Sequence, residues 1–364
     1  MECSQRPIWS RFSREELGRL PVSAPDQRIE KQVLKNWDAV AKPLDGMGRF
    51  ETLTAQIGGI TGSDRIDLSR KAVVVMCADN GIVEEGVSQS GQEVTVAVAK
   101  AMAKGQSSVC RMAKAIGADT IPVDIGINSN TPIEGVLDRK VRCGTGNFRK
   151  ERAMTEEEAI RAIAVGIDMV DALRQAGYRI LATGELGIGN TTTSSAVTAA
   201  LLQCEPWEVT GRGAGLTDEG LLRKRRVIEE AVEKYDLMHA DAVAVLSAVG
   251  GLDIAGLAGV CIGGAIFHVP IVLDGLISMT AALLAERIAP GTKAYLLPSH
   301  KGKEPAVKML ARELKLEPVI DGRMALGEGT GAVMMLSLLD VALSIYGERT
   351  TFSDIQIEQY KRYR

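Results

Sequence analysis

The chain has 364 residues, 46% of them hydrophobic, enough for one large domain or two ordinary ones and too apolar for a disordered polypeptide. A formal net charge of −3 leaves no electrostatic footprint for nucleic acid or an anionic membrane, so any phosphate must be held by local amides and one or two cations. Aromatics make up only 4% while glycine numbers 38, a balance suited to close-packed helices and glycine-lined loops.

Cysteines fall at Cys3, Cys77, Cys110, Cys143, Cys204 and Cys261, with no C-x-x-C pair and no histidine nearby. Scattered in this way they read as reduced core residues, hence a cytoplasmic protein. His239, His268 and His300 are far apart in sequence, which argues against a histidine-based metal site. The opening MECSQRPIWSRFSREE lacks the apolar run of a signal peptide.

Taken in order, residues 26–41 form an amphipathic helix with Ile29, Val33, Leu34, Trp37 and Val40 on one stripe. That stripe needs covering, either by the chain's own body or by a second copy. A break at 42–48 precedes helix 49–57, and 58–63 reads as a linker. The main body opens with an apolar strand at 71–77, followed by a helix ending near Lys104, helix 107–116 and strand 120–125. Residues 136–146 suggest a strand ending in a glycine loop. Thr155 and Glu158 make a capping box that opens a helix to about Gln175. Strand 178–182, helix 191–202, a charged and exposed helix 218–233 and helix 240–249 come next. Then follow helix 254–267, strand 269–273, helix 278–288, strand 293–297, helix 304–314 and strand 317–320. A final buried helix runs from 332, with Thr330 as its N-cap.

The apolar segment 254–273 (IAGLAGVCIGGAIFHVPIVL) is long enough to span a bilayer and carries a G-x-x-x-G at Gly259 and Gly263. Pro270 divides it, Asp253 and Asp274 bracket it, and four glycines dilute it, so a buried helix and strand are expected and no membrane partner. Alternating strands and helices predict an α/β fold with a largely parallel sheet and helices on both faces. Ligands of such sheets gather at the carboxyl ends of the strands. The loops 78–81, 184–190, 274–275, 298–301 and 327–331 fall there.

The loop Gly327-Glu328-Gly329-Thr330-Gly331 places one carboxylate between glycines where a buried helix begins. Glu328 either complements the helix dipole or, held ionised there, serves as a general base. The stretch GELGIGNTTT (184–193) follows a strand and opens a helix; it is either an anion site or a glycine turn with Thr caps. It is neither a P-loop nor a Rossmann fingerprint. Lys224, after the flexible loop 211–215, either reaches a phosphate or is solvated like Arg223, Arg225 and Arg226. The loop with Asp79, Glu84 and Glu85 has no metal-ligand spacing and reads as an ordinary surface loop.

GELGIGNTTT, VGGLDIAGLAGV, VPIVLDGLISMTAALLA, LPSHKGKE and ALGEGTGAV, in that order, resemble the nicotinate-nucleotide:dimethylbenzimidazole phosphoribosyltransferases. CADNGIVEEGVSQSGQEVT and KPLDGMGRFETL fit as well, so the resemblance spans roughly residues 30–346. It implies a Rossmann-like large domain (66–345) and a small helical domain drawn from both chain ends (1–65 plus 346–364). It also implies a homodimer that needs no metal or other cofactor. Its substrates would be nicotinate mononucleotide and a benzimidazole-type base. By resemblance Glu328 is the general base and Glu185 a second acidic residue. Gly187, Asn190, Thr191, Gly213, Lys224 and Gly302 surround the ribosyl phosphate, and Asp79, Ser90, Met324 and Leu326 hold the aromatic base. The family's Asp-His-Gly is here Asp79-Asn80-Gly81. Three rivals stand beside it: the same chemistry with adenine, another benzimidazole or a phenol; a Mg²⁺-dependent type I phosphoribosyltransferase; and a non-catalytic nucleotide sensor. The type I motif needs an acidic pair after an apolar strand, and Ile271-Val272-Leu273-Asp274-Gly275 supplies one acid only.

Overall fold

The computed structural model describes residues 12–362; Cys3 and most of the segment tested for a leader lie outside the described residues. In chain order the N-terminal part carries α1 (Arg14–Leu17), α2 (Gln27–Ala39), α3 (Arg49–Thr61), β1 (Lys71–Ala78), α4 (Glu93–Ala103) and α5 (Ser108–Ala115). Next come β2 (Asp119–Gly126), β3 (Leu137–Asp138), α6 (Glu156–Gln175), β4 (Ile180–Leu186), α7 (Asn190–Leu202) and α8 (Pro206–Val209). Then follow α9 (Asp218–Lys234), α10 (Ala242–Val249), α11 (Leu252–Phe267), β5 (Ile271–Leu273) and α12 (Leu276–Ile288). β6 (Leu296–Pro298), α13 (Ala306–Leu314) and α14 (Thr330–Gly347) complete the order.

Among the described residues six strands form one parallel sheet in the order β3-β2-β1-β4-β5-β6. The chain builds outward from β1 in one direction and from β4 in the other, which opens a crevice at their carboxyl ends. β1 is buried along its whole length because both faces are covered. Ala72, Val74, Met76 and Ala78 face one apolar cluster, and Val73, Val75 and Cys77 face another that includes Ala332, Val333 and Leu336 of α14. This is the period-two alternation of a strand between two helical layers.

The apolar segment 254–273 becomes a core helix. α11 crosses α6 so closely that a Cβ on Gly259 would stand 1.9 Å from the Ile163 carbonyl oxygen, and one on Gly166 2.0 Å from that of Gly256. The glycines thus serve a helix crossing inside a protein rather than one between membrane spans. Gly259→Ala should destabilise the fold by at least about 2 kcal/mol, since two backbones must separate to admit the methyl; a shift of the urea unfolding midpoint with unchanged slope would show it.

Several boundaries differ from expectation. Residues 58–63 are no linker: α3 continues through Gly58 and Gly59 to Thr61 and stops at Gly62 in the left-handed conformation, φ 67°. Those glycines let α2 lie against α3, since a Cβ on Gly58 would meet Val33 at 2.7 Å. The strand expected at 317–320 shrinks to one bridge, His300 with Ile320, and that at 293–297 begins as a 3₁₀ turn, Thr292–Tyr295. The 136–146 strand is two residues long. α9 is not simply solvated, because Lys224 is fully buried.

The α2 stripe is covered by its own chain. Trp37 is 0% exposed, donates from Nε1 to Thr54 Oγ1 at 2.7 Å, and packs its ring, tilted by 46°, against Tyr346 at the end of α14 with centroids 5.1 Å apart. Trp37 is therefore a core residue and no probe of assembly. α14 itself is 18 residues long and apolar enough to cross a membrane by composition, but 50% of it is buried inside the structure. Its outer face exposes Met334, Val341 and Ile345.

Candidate active site

A cavity of about 300 Å³ lies at the carboxyl ends of β4, β5 and β6. Glu185 and Leu186 end β4, Asp274 follows β5, and His300 follows β6; the loop before α14 closes one side.

Three consecutive residues of that loop have positive φ: Gly327 at 85°, Glu328 at 61° and Gly329 at 95°. For Glu328 this is strained, at a cost of about 1–3 kcal/mol that the surroundings must offset. What over-determines it is contact with the sheet. A Cβ on Gly184 would lie 2.5 Å from the Glu328 carbonyl oxygen, and one on Gly329 3.0 Å from that of Thr183. The glycines admit strand β4, not only a ligand. Thr330 is not the cap: Gly329 is, and the Thr330 hydroxyl donates back to the Gly327 carbonyl at 2.9 Å. The free amides at the start of α14 are taken instead by Asp274. Its Oδ1 accepts from Gly331 at 2.8 Å and Ala332 at 3.2 Å, and its Oδ2 from Gly329 at 3.2 Å. Burial pushes the Asp274 carboxyl up, opposed by His300 and by these amides. His300 Nδ1 stands 3.9 Å from Asp274 Oδ1 and 2.9 Å from the Ser299 hydroxyl. Glu328 is thus left to a different helix: its Oε2 accepts from Val109 N at 3.2 Å, in the first turn of α5.

Glu185 and Asp253 are bridged by the Asn190 amide, which donates to both, at 3.0 Å to Asp253 Oδ2. Burial, with Asp253 and Asp274 nearby, raises the Glu185 carboxyl to about 8; burial raises Asp253 to about 7. At neutral pH Glu185 is therefore mainly protonated, which relieves the crowding of acids beneath the cavity.

On another part of the lining, α7 begins at Asn190, and Thr191, Gly213 and Gly302 line the cavity with it. Of the three threonines after Asn190, Thr191 lines the cavity, and its Oγ1 accepts from Lys224 Nζ at 2.9 Å. Lys224 is 0% exposed, and burial lowers its ammonium to about 8. A helix N-terminus with a buried cation behind it has the chemistry to take an anion. The third wall is apolar: Val94 and Val98 of α4, Ile277, Val307, Met324, Ala325 and Leu326.

Of the residues singled out in the sequence, Glu328, Glu185, Gly187, Asn190, Thr191, Gly213, Gly302, Met324 and Leu326 converge on this cavity. Lys224 lies directly behind Thr191. Asp79 and Ser90 do not line it. Asp79 is 0% exposed, with its Oδ2 taken by the Asn128 amide at 2.8 Å, and Ser90 lies in the outer loop, bonded to Ser88. Asp274, His300 and Glu304 also line the cavity. The loops 274–275 and 298–301 were marked in the sequence as ligand loops without Asp274 or His300 being singled out as a site residue, and Glu304, six residues past the end of β6, gave no signal of its own.

A family model described as Phosphoribosyltransferase matches residues 22–357. The chain belongs to that family. The nicotinate-nucleotide–dimethylbenzimidazole phosphoribosyltransferase of Clostridium acetobutylicum is 42% identical over 340 residues, covering 93% of this chain and 97% of its own. That of Acetivibrio thermocellus is 45% identical over 329 residues, covering 90% and 94%. The crystal structure of CobT from Thermus thermophilus superposes with a TM-score of 0.87 at 36% identity, over 92% of this chain and 100% of its own. Phosphoribosyltransferase chemistry needs a phosphate pocket and a place for the ring that departs or attacks, and one cavity here is lined both by a helix start backed by a lysine and by apolar side chains.

Proposed function

We propose that this chain transfers the 5-phosphoribosyl group of nicotinate mononucleotide to 5,6-dimethylbenzimidazole, releasing nicotinate and forming α-ribazole 5′-phosphate for the nucleotide loop of cobalamin. The observation that carries it is that Glu328 lines one cavity together with the helix start at Thr191 and Gly213 and the apolar side chains of Val98, Met324 and Leu326. The donor's phosphate fits the Thr191–Gly213–Lys224 corner, and the flat base fits against Met324, Leu326 and Val98. Glu328 removes the proton from one benzimidazole nitrogen, and the lone pair of the other attacks the anomeric carbon. The bond to the pyridinium nitrogen breaks on the far face, its electron pair neutralising that ring, and β becomes α. The protein supplies orientation and proton removal.

Incubation with nicotinate mononucleotide and 5,6-dimethylbenzimidazole should release nicotinate, undiminished by EDTA. No release with this or any other base would favour a binding protein, and product carrying adenine or a phenol in mixed-base competition would change the acceptor.

Lys224 gives the reaction a pH dependence. Its ammonium is lowered to about 8, so it is charged below that pH and neutral above it. kcat/KM for the donor should therefore fall as pH rises through about 8, and Lys224→Met should be slow and lack that limb. A limb surviving in the variant would assign it to Glu185, which titrates in the same range.

The protein is proposed to be a cytoplasmic homodimer, its five described cysteines all being free thiols. Met334, Val341 and Ile345 recur at seven and four residues along α14, the spacing of a helix–helix seam. A wild-type monomer with full activity in micromolar sedimentation would exclude the dimer. A small domain from residues 1–65 plus 346–364 is proposed as well: Val33, Trp37, Val40, Ala55 and Tyr346 form an apolar cluster of their own, joined to the sheet's core through Leu53 and Ile57 of α3.

A further inference from the structure

Glu304, in the loop before α13, lines the cavity. Its Oε1 accepts the Gly213 amide at 2.9 Å, while its Oε2 is buried without a hydrogen-bond partner among the described residues. The carboxylate lies flat on Gly211, where a Cβ would stand 2.2 Å from Oε2, 2.7 Å from Cδ and 2.8 Å from Oε1. Behind Gly213 is the buried Lys224 ammonium, whose charged form the Glu304 carboxylate supports. An acid here is unexpected, because the corner is built to receive a phosphate. A buried ammonium with only a threonine hydroxyl beside it is poorly compensated, and a nearby carboxylate offsets that while the corner is empty.

We propose that Glu304 is a built-in substitute for the donor's phosphate, holding the Gly213 amide and balancing Lys224 until a phosphate monoester displaces it; this rests on the anion-corner reading above. One amide hydrogen cannot serve both anions, and the two repel, so the incoming group must outcompete a tethered carboxylate. A phosphate dianion can do so through several oxygens and double charge, whereas a simple carboxylate or a monoanion offers no more than Glu304 already does. Glu304 thus lowers absolute affinity and raises discrimination in favour of phosphate monoesters.

Binding of inorganic phosphate, acetate and nicotinate mononucleotide to the intact protein, measured by calorimetry, tests this. Glu304→Gln should bind inorganic phosphate at least about tenfold more tightly than wild type, since removal of a like charge favours the anion. Its preference for phosphate over acetate should narrow. Gly211→Ala leaves Glu304 in the chain but excludes its carboxylate from the corner, and should produce the same gain; it serves equally if Glu304→Gln does not fold. Equal or weaker phosphate binding in the variants, with wild type binding the donor, would overturn the inference alone. Failure of every protein to bind phosphate or donor would overturn the anion corner and the inference with it.

Discussion

Glu328→Gln should fold as wild type, bind both substrates normally and lose at least about 10²-fold in turnover, the usual size of a general-base contribution. The amide keeps the shape and can still accept from Val109 N, so the strained backbone at φ 61° has no reason to relax. What it loses is the capacity to take a proton. Steady-state kinetics with the donor saturating, beside a far-ultraviolet spectrum and an unfolding curve, separate the two effects. Near-normal turnover with unchanged substrate binding would remove Glu328 from the mechanism.

Asp274→Asn should damage both stability and rate although Asp274 is placed on no reacting atom. Both carboxylate oxygens accept amides, from Gly329 on one and from Gly331 and Ala332 on the other. An asparagine must present its NH₂ to one of these sets, leaving at least one buried donor facing another donor. A loss of about 2–3 kcal/mol in unfolding free energy follows from an unsatisfied buried group and a lost charge-assisted bond. Turnover should fall as well, because the start of α14 sets where Glu328 projects. Stability that drops while kcat holds would show that the loop keeps its shape without this anchor.

Much of the fold could be read locally. The Thr155–Glu158 box, the apolar run of β1 and the helix through Gly259 rest on signals within a few residues, and the structure has them near their expected limits. The site was legible as a set of loops but not as a set of contacts. Thr330 looks like a cap in isolation; it is displaced because Asp274, 55 to 58 residues away in sequence, already satisfies the helix start. Lys224 stands among Arg223, Arg225 and Arg226, and only the packing of α9 shows which of the four faces inward. The Trp37 stripe was clear and its cover was not, since Tyr346 comes from the other end of the chain. Local chemistry announces the elements, while partners set by tertiary packing decide which side chain does what.

The near-zero clearance around Gly184, Gly329 and Gly331 bears on how this enzyme could acquire a different acceptor. A methyl on Gly331 would fall 2.0 Å from His300 Nδ1, and one on Gly184 would push the Glu328 backbone outward. The floor that aims the proton acceptor is therefore intolerant of change. The apolar wall is the opposite: Leu326 is 55% exposed and Met324 is flexible and half-buried. With the acceptor ring against Val98, Met324 and Leu326, as proposed above, substitutions there should alter the ring size and substituents accepted without moving Glu328. Acceptor choice and chemical competence are in this way separately mutable, so a lineage, or a designer, can retune the first while leaving the second intact.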